Sequence, residues 1–169
     1  MVKTIKIFVT VASAWALAAT LAHGQSSLLN PPQHSSTRPA AVQYLYPEQI
    51  AIPADKPTTV TLHFRIAPGL HINAHTPSEK ELIPTSLSIP EGFGVRLDSA
   101  AYPPGVEFTP PFDPNTKLSV YAGEFTIQAR IVAAAGNHLV EAKLRYQACD
   151  NNACMPPRSI TVAIDVIGK

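Results

Sequence analysis

From residue 42 to the C-terminus, apolar side chains recur at every second position in short runs separated by turn residues. Over 59–66, Val60, Leu62, Phe64 and Ile66 alternate with Thr61, His63 and Arg65. Over 125–131, Phe125, Ile127, Ala129 and Ile131 alternate with Thr126, Gln128 and Arg130. Val140, Ala142, Leu144 and Tyr146 continue the pattern, as do Ile160, Val162, Ile164 and Val166. A period of two is the mark of a strand with one face buried. Shorter candidates lie at 70–73, 85–89 and 95–101. Pro68-Gly69 predicts a turn, and Gly136-Asn137 predicts a hairpin turn into the strand that follows. Prolines interrupt the chain too often for any sustained 3.6-residue period, and 78–82 has room for one short turn. Seven or more strands at short spacing predict an all-β domain built as a β-sandwich.

The N-terminus departs from this pattern. Lys3 and Lys6 precede an apolar run from Ile7 to Leu21, and small residues flank His23 in Ala22-His23-Gly24. This is the layout of a secretory signal peptide, predicted over residues 1–24. The run falls short of the roughly 20 apolar residues that span a bilayer, although an uncleaved anchor is the alternative. Residues 25–41 hold Ser26, Ser27, Pro31, Pro32, Ser35, Ser36 and Pro39 with little apolar content. Such a segment cannot offset its ordering entropy by burial and is expected to be a disordered linker. The domain proper is assigned to residues 42–169.

Charge narrows the function classes. The chain holds 13 basic and 12 acidic residues. Without Lys3 and Lys6 the balance is near neutral, and no basic run exists to hold nucleic acid. No second apolar segment of membrane length follows, so the mature chain is expected to carry no membrane span. The chain has two cysteines, Cys149 and Cys154. In an exported chain the two can pair with each other. Four residues separate them, and three of these, Asp150, Asn151 and Asn152, favour turns. A hairpin there sets the cysteines opposite each other at a distance that permits a disulfide.

Three readings of the pair are open at this point. It is a reversible dithiol at an exposed loop, a local clip that fixes a hairpin, or part of a metal site. The clip closes a very short loop, where chain entropy gives the least stabilisation. The metal site needs two more ligands to satisfy zinc, and His71 and His75 are the candidates to supply them.

Tyr146-Gln147-Ala148-Cys149, a short polar gap, then Cys154 followed by Pro156-Pro157 resembles the N-terminal periplasmic domain of the DsbD thiol:disulfide interchange family. Pro68-Gly69-Leu70-His71-Ile72-Asn73, Leu82-Ile83-Pro84-Thr85 and Tyr102-Pro103-Pro104-Gly105-Val106 are similar to further stretches of that family. The resemblance implies an immunoglobulin-like β-sandwich without the antibody Cys…Trp…Cys signature, since Trp15 lies in the signal segment. It implies that Cys154 forms the mixed disulfide with partners and Cys149 resolves it. It implies a cap loop over the pair, with Phe112 at the aromatic position. Pro110 and Pro111 stand where the family carries acidic residues, and Pro114 adds stiffness.

These observations lead to a periplasmic, free-standing thiol–disulfide interchange domain of the protein-disulfide reductase type. It uses a Cys149–Cys154 dithiol/disulfide and needs no metal or cofactor. Its expected partners are thioredoxin-fold proteins, bound by transient mixed disulfides. The resemblance adds disulfide isomerases and cytochrome c maturation thioredoxins to these. The chain is expected to be a monomer whose reductant is a separate protein. The rival is a non-catalytic immunoglobulin-like binding or scaffold domain with a structural disulfide.

Overall fold

The computed structural model describes residues 40–45 and 49–169. The expected signal peptide, nearly all of the expected linker and Tyr46 lie outside the described residues. The strands are β1 (Val42–Leu45), β2 (Gln49–Ile52), β3 (Thr58–Ile66), β4 (His71–Asn73), β5 (Ser86–Ser88) and β6 (Val95–Ala101). They continue with β7 (Val106–Phe108), β8 (Leu118–Ala122), β9 (Glu124–Ala133), β10 (Gly136–Tyr146), β11 (Ala148–Cys149) and β12 (Arg158–Gly168). No helix forms among the described residues. The 78–82 segment makes a turn, with Leu82 N–H donating to the Glu79 carbonyl.

The period-two runs become the long strands. In β3 the side chains of Val60, Leu62, Phe64 and Ile66 are buried while Thr59, Thr61, His63 and Arg65 are exposed. β10 buries Val140, Ala142, Leu144 and Tyr146, and β12 buries Val162, Ile164 and Val166. One antiparallel sheet has the order β1-β3-β9-β6; a second has the order β2-β12-β10-β5. Within the second sheet β2 runs parallel to β12, and its other pairs are antiparallel. In chain order these strands reproduce the A-B-E-D and C-F-G sheets of the immunoglobulin fold, with the first strand divided between the two sheets. The inner faces of both sheets contribute to a single apolar cluster. At its centre Phe64 stacks on Phe125 with ring centroids 5.1 Å apart, and Tyr44 tilts against Phe64 at 5.6 Å.

Two sequence expectations need correction. Gly136-Asn137 does not turn a hairpin. β9 pairs with β3 and β6, whereas β10 pairs with β12 and β5, so the short connection at Ala134 and Ala135 carries the chain from one sheet to the other. Both strands alternate equally well, and alternation does not say which sheet a strand joins. Gly136 opens β10 with φ 109°, a conformation that favours glycine. The ordered domain also includes Ala41, placed in the linker by composition. Ala41 is buried in the core cluster, and its carbonyl accepts from Ala67 N–H.

A third, smaller sheet has the order β11-β4-β8-β7. Its register pairs Ile72 with both Ala148 and Tyr121, and all three belong to the core cluster. The alternate residues, Cys149, His71, Ala122 and Phe108, therefore occupy its other face. One face of this sheet thus docks on the sandwich, and the opposite face carries the cysteine site.

Candidate functional site

The hairpin that presents the cysteines is fixed by local chemistry. Asp150 N–H donates to the Ala153 carbonyl at 3.0 Å, and Met155 N–H to the Ala148 carbonyl at 2.8 Å. Asp150 Oδ1 accepts from the backbone N–H groups of Asn152 at 2.7 Å and Ala153 at 2.9 Å. This is the side-chain-to-backbone turn that Asp favours. Cys149 and Cys154 consequently stand as an antiparallel bridge pair with Cα atoms 3.9 Å apart, joined by a disulfide. The expected face-to-face placement holds.

The neighbouring β4 anchors this hairpin from below. Asn73 is buried, and its Nδ2 donates to Gln147 Oε1 at 3.2 Å and to the Ile83 carbonyl at 3.1 Å. Gln147 Nε2 donates in turn to the Met155 carbonyl at 3.3 Å. Thr85, fully buried, donates its hydroxyl to the Asn73 carbonyl at 2.6 Å. The two flanks of the hairpin are therefore tied to β4 and to the 83–85 segment by buried polar groups, each of which has a partner.

The two sulfurs sit in different surroundings. Cys149 is 2% exposed. Cys154 belongs to an exposed stretch that runs from Asp150 through Cys154. An incoming thiolate reaches an exposed sulfur and not a covered one.

His71 pairs directly with Cys149 across β4 and β11 and is 6% exposed. Phe108 tilts against its ring with centroids 4.1 Å apart. Burial holds the imidazole below its ordinary pKa, and the carboxylate of Asp150 opposes that shift. The sequence offered His71 only as a ligand to be recruited if the cysteines held a metal; the structure places it buried, opposite Cys149. His75 lies elsewhere: its ring stacks on Tyr102 at 3.7 Å, and its Nδ1 lies 2.9 Å from the Thr85 carbonyl. Among the described residues no group of three or more His, Cys, Asp or Glu side chains is placed to hold a metal ion. Phe108 went unnoticed in the sequence.

Phe112 sits on the loop between β7 and β8 and is 69% exposed, so it is not a core aromatic. Its loop is a pair of turns. Asp113 N–H donates to the Pro110 carbonyl and Thr116 N–H to the Asp113 carbonyl, while Thr116 Oγ1 donates to Asp113 Oδ2 at 2.6 Å. Gly105 sets the start of this region. A Cβ there would collide with Ser119 Oγ and crowd Ala74. Tyr146, expected in the core, is 2% exposed.

An immunoglobulin-like sandwich with a disulfide at a hairpin tip, one sulfur covered and the other open, defines a domain built for thiol–disulfide interchange. Residues 41–165 match the family described as "Thiol:disulfide interchange protein DsbD, N-terminal", and the chain belongs to that family. No curated protein matches the chain. Among solved structures it is similar to the N-terminal domain of Neisseria meningitidis DsbD in the reduced form, at 20% identity and a TM-score of 0.46. That match covers 68% of this chain and 82% of the other. It is also similar to the N-terminal periplasmic domain of ScsB from Proteus mirabilis, at 13% identity and a TM-score of 0.47, covering 73% of this chain and 44% of that one. No helix among the described residues is long and apolar enough to cross a membrane.

Proposed function

We propose that this domain works in the periplasm as a carrier of reducing equivalents, passing them to thioredoxin-fold partners through the Cys149–Cys154 pair. The carrying observation is the unequal exposure of the two cysteine residues within one hairpin. In the reduced domain the thiolate of Cys154 attacks a partner disulfide. A bond forms between Cys154 and one partner sulfur, and the other partner sulfur leaves as a thiolate. The thiolate of Cys149 then attacks Cys154 Sγ, reforming the intramolecular disulfide and releasing the partner's second thiolate. Two electrons move from the domain to the partner. The hairpin's hydrogen bonds keep Cys149 beside Cys154, so the second step is intramolecular and fast.

Phe112 acts as the cap in this reading. Its large exposure supports the role, as does its loop's departure from β7, the strand whose Phe108 already covers His71 beside Cys149. The signal peptide over residues 1–24 delivers the chain to the oxidising compartment where the pair is useful, and the domain functions there as a monomer without metal or cofactor.

The test is mixed-disulfide trapping in a periplasmic extract. Cys149→Ser leaves the open Cys154 thiol able to capture a partner but unable to release it, and a thioredoxin-fold protein is expected in the trapped adduct. Cys154→Ser, which leaves the covered sulfur, is expected to trap little. Equal yields from the two variants, or no adduct from Cys149→Ser, would overturn the proposal in favour of a structural disulfide.

A further inference from the structure

We propose that His71 is the base that takes the proton from the Cys149 thiol, so that the covered sulfur can close the exchange. This inference rests on the interchange function proposed above and assigns a role within it. The second step needs Cys149 as a thiolate, but Cys149 is 2% exposed. Burial disfavours a thiolate and separates it from water that would accept its proton. The step therefore requires a proton acceptor inside the site.

His71 is placed to be that acceptor. It is the direct antiparallel partner of Cys149, and such pairs project their side chains to the same face with Cβ atoms about 4.5–5.5 Å apart. That register puts the imidazole on the same face as the Cys149 sulfur, directly across the ladder. Phe108 against the ring at 4.1 Å limits how it can turn.

The charges around it suit the task. β8 presents Ala122 opposite His71, and β7 presents Phe108, neither of which titrates. Glu107 alternates to the other face of β7 and pairs with Lys117 at 2.9 Å. The charged group acting on the ring is Asp150, one residue beyond Cys149. Burial keeps the imidazole neutral and able to accept a proton near pH 7, and Asp150 stabilises the imidazolium once it forms.

The step balances as follows. The proton moves from Cys149 Sγ to the His71 ring. The resulting thiolate attacks Cys154 Sγ, which is bonded to the partner sulfur; the Cys149–Cys154 bond forms and the Cys154–partner bond breaks. The partner thiolate leaves with the electron pair, and the imidazolium returns its proton to that thiolate or to water.

The experiment is a single turnover of the reduced domain with glutathione disulfide, acid-quenched and read by mass spectrometry. Capture appears as a glutathione adduct on Cys154, and release as its disappearance with formation of the intramolecular disulfide. For His71→Gln the expected result is an adduct that persists, with release at pH 7 slowed by about 10²-fold, the low end of what a positioned base contributes. The defect should shrink as pH rises and the thiol ionises unaided, and added imidazole should restore part of the rate. A purely structural role predicts neither the pH recovery nor the rescue. Release by His71→Gln at the wild-type rate and with the wild-type pH profile would overturn the assignment while leaving the interchange function intact. A wild-type domain that exchanges no faster than free cysteine would overturn both.

A measurement on the unaltered protein covers the case of a variant that does not fold. The NMR titration of the His71 ring should differ between the reduced and oxidised domain, since only the reduced form offers it a thiol. Identical His71 titrations in the two forms would overturn the proposal.

Discussion

The body of the sandwich and the small sheet beside it are built from the same alternating strands but by different means. In the body, β3, β9, β10 and β12 hold nine to eleven residues each and meet face to face through aliphatic and aromatic side chains. In the small sheet, β11 has two residues and β4 and β7 have three each. Strands this short cannot hold themselves in place. Ile72, Tyr121 and Ala148 fix the small sheet to the core, and Asn73, Thr85, Gln147 and Asp150 fix its edges by hydrogen bonds. Apolar burial thus sets the fold, and a polar lattice sets the geometry of the sulfurs. The disulfide belongs to the second region. A bond that closes a five-residue separation adds little to a body already closed by its sheets.

Mutation at the centre of the body should therefore have the largest effect. Phe64 is fully buried and in contact with Tyr44 and Phe125. Phe64→Ala is expected to cost about 3–5 kcal/mol of stability, measured by the shift of a urea unfolding midpoint. Removing the disulfide should cost less. The double variant Cys149→Ser with Cys154→Ser is expected to lose about 2 kcal/mol, the amount a very short loop contributes by chain entropy. A loss as large as that of Phe64→Ala would erase the contrast between the regions and mark the disulfide as a structural staple.

The smallest effect concerns acid. His71 has a folded-state pKa below its ordinary value because it is buried, with Asp150 opposing. The unfolded chain therefore binds that proton first. As pH falls below about 6.5, the ordinary imidazole value, the unfolded state gains protons that the folded state refuses, and stability declines. The decline ends below the folded-state value, where both forms are protonated. In His71→Phe this part of the pH dependence should vanish, which a series of denaturation curves between pH 7 and pH 5 would reveal. An unchanged slope would place the imidazole in a more solvated setting than the small sheet provides.

Much of the body was legible in the sequence because its signal is periodic and local. Val60 through Ile66 and Val140 through Tyr146 announce both strand and buried face. The hairpin of the cysteines was legible for a similar reason, since Asp150, Asn151 and Asn152 are turn residues held between the two cysteines. What alternation could not convey was partnership. β9 and β10 are consecutive and equally alternating, yet they join different sheets, and only their contacts with β3, β6, β5 and β12 decide this. The same limit hid His71. Nothing beside it in the chain marks it as buried; it becomes so because β4 is laid next to β11 on one side and faced by Phe108 from β7. Phe108 was missed because a three-residue strand is too short to show a period.

The claim on which the functional account turns is that Cys154 is the sulfur a partner meets and Cys149 the sulfur that finishes the exchange. Pulsed alkylation of the freshly reduced domain, with the modified cysteine identified by peptide mass spectrometry, tests it without any mutation or partner. The account predicts that Cys154 is labelled at least about tenfold faster than Cys149, as the exposure of the one and the burial of the other require. Equal labelling, or faster labelling of Cys149, would contradict it.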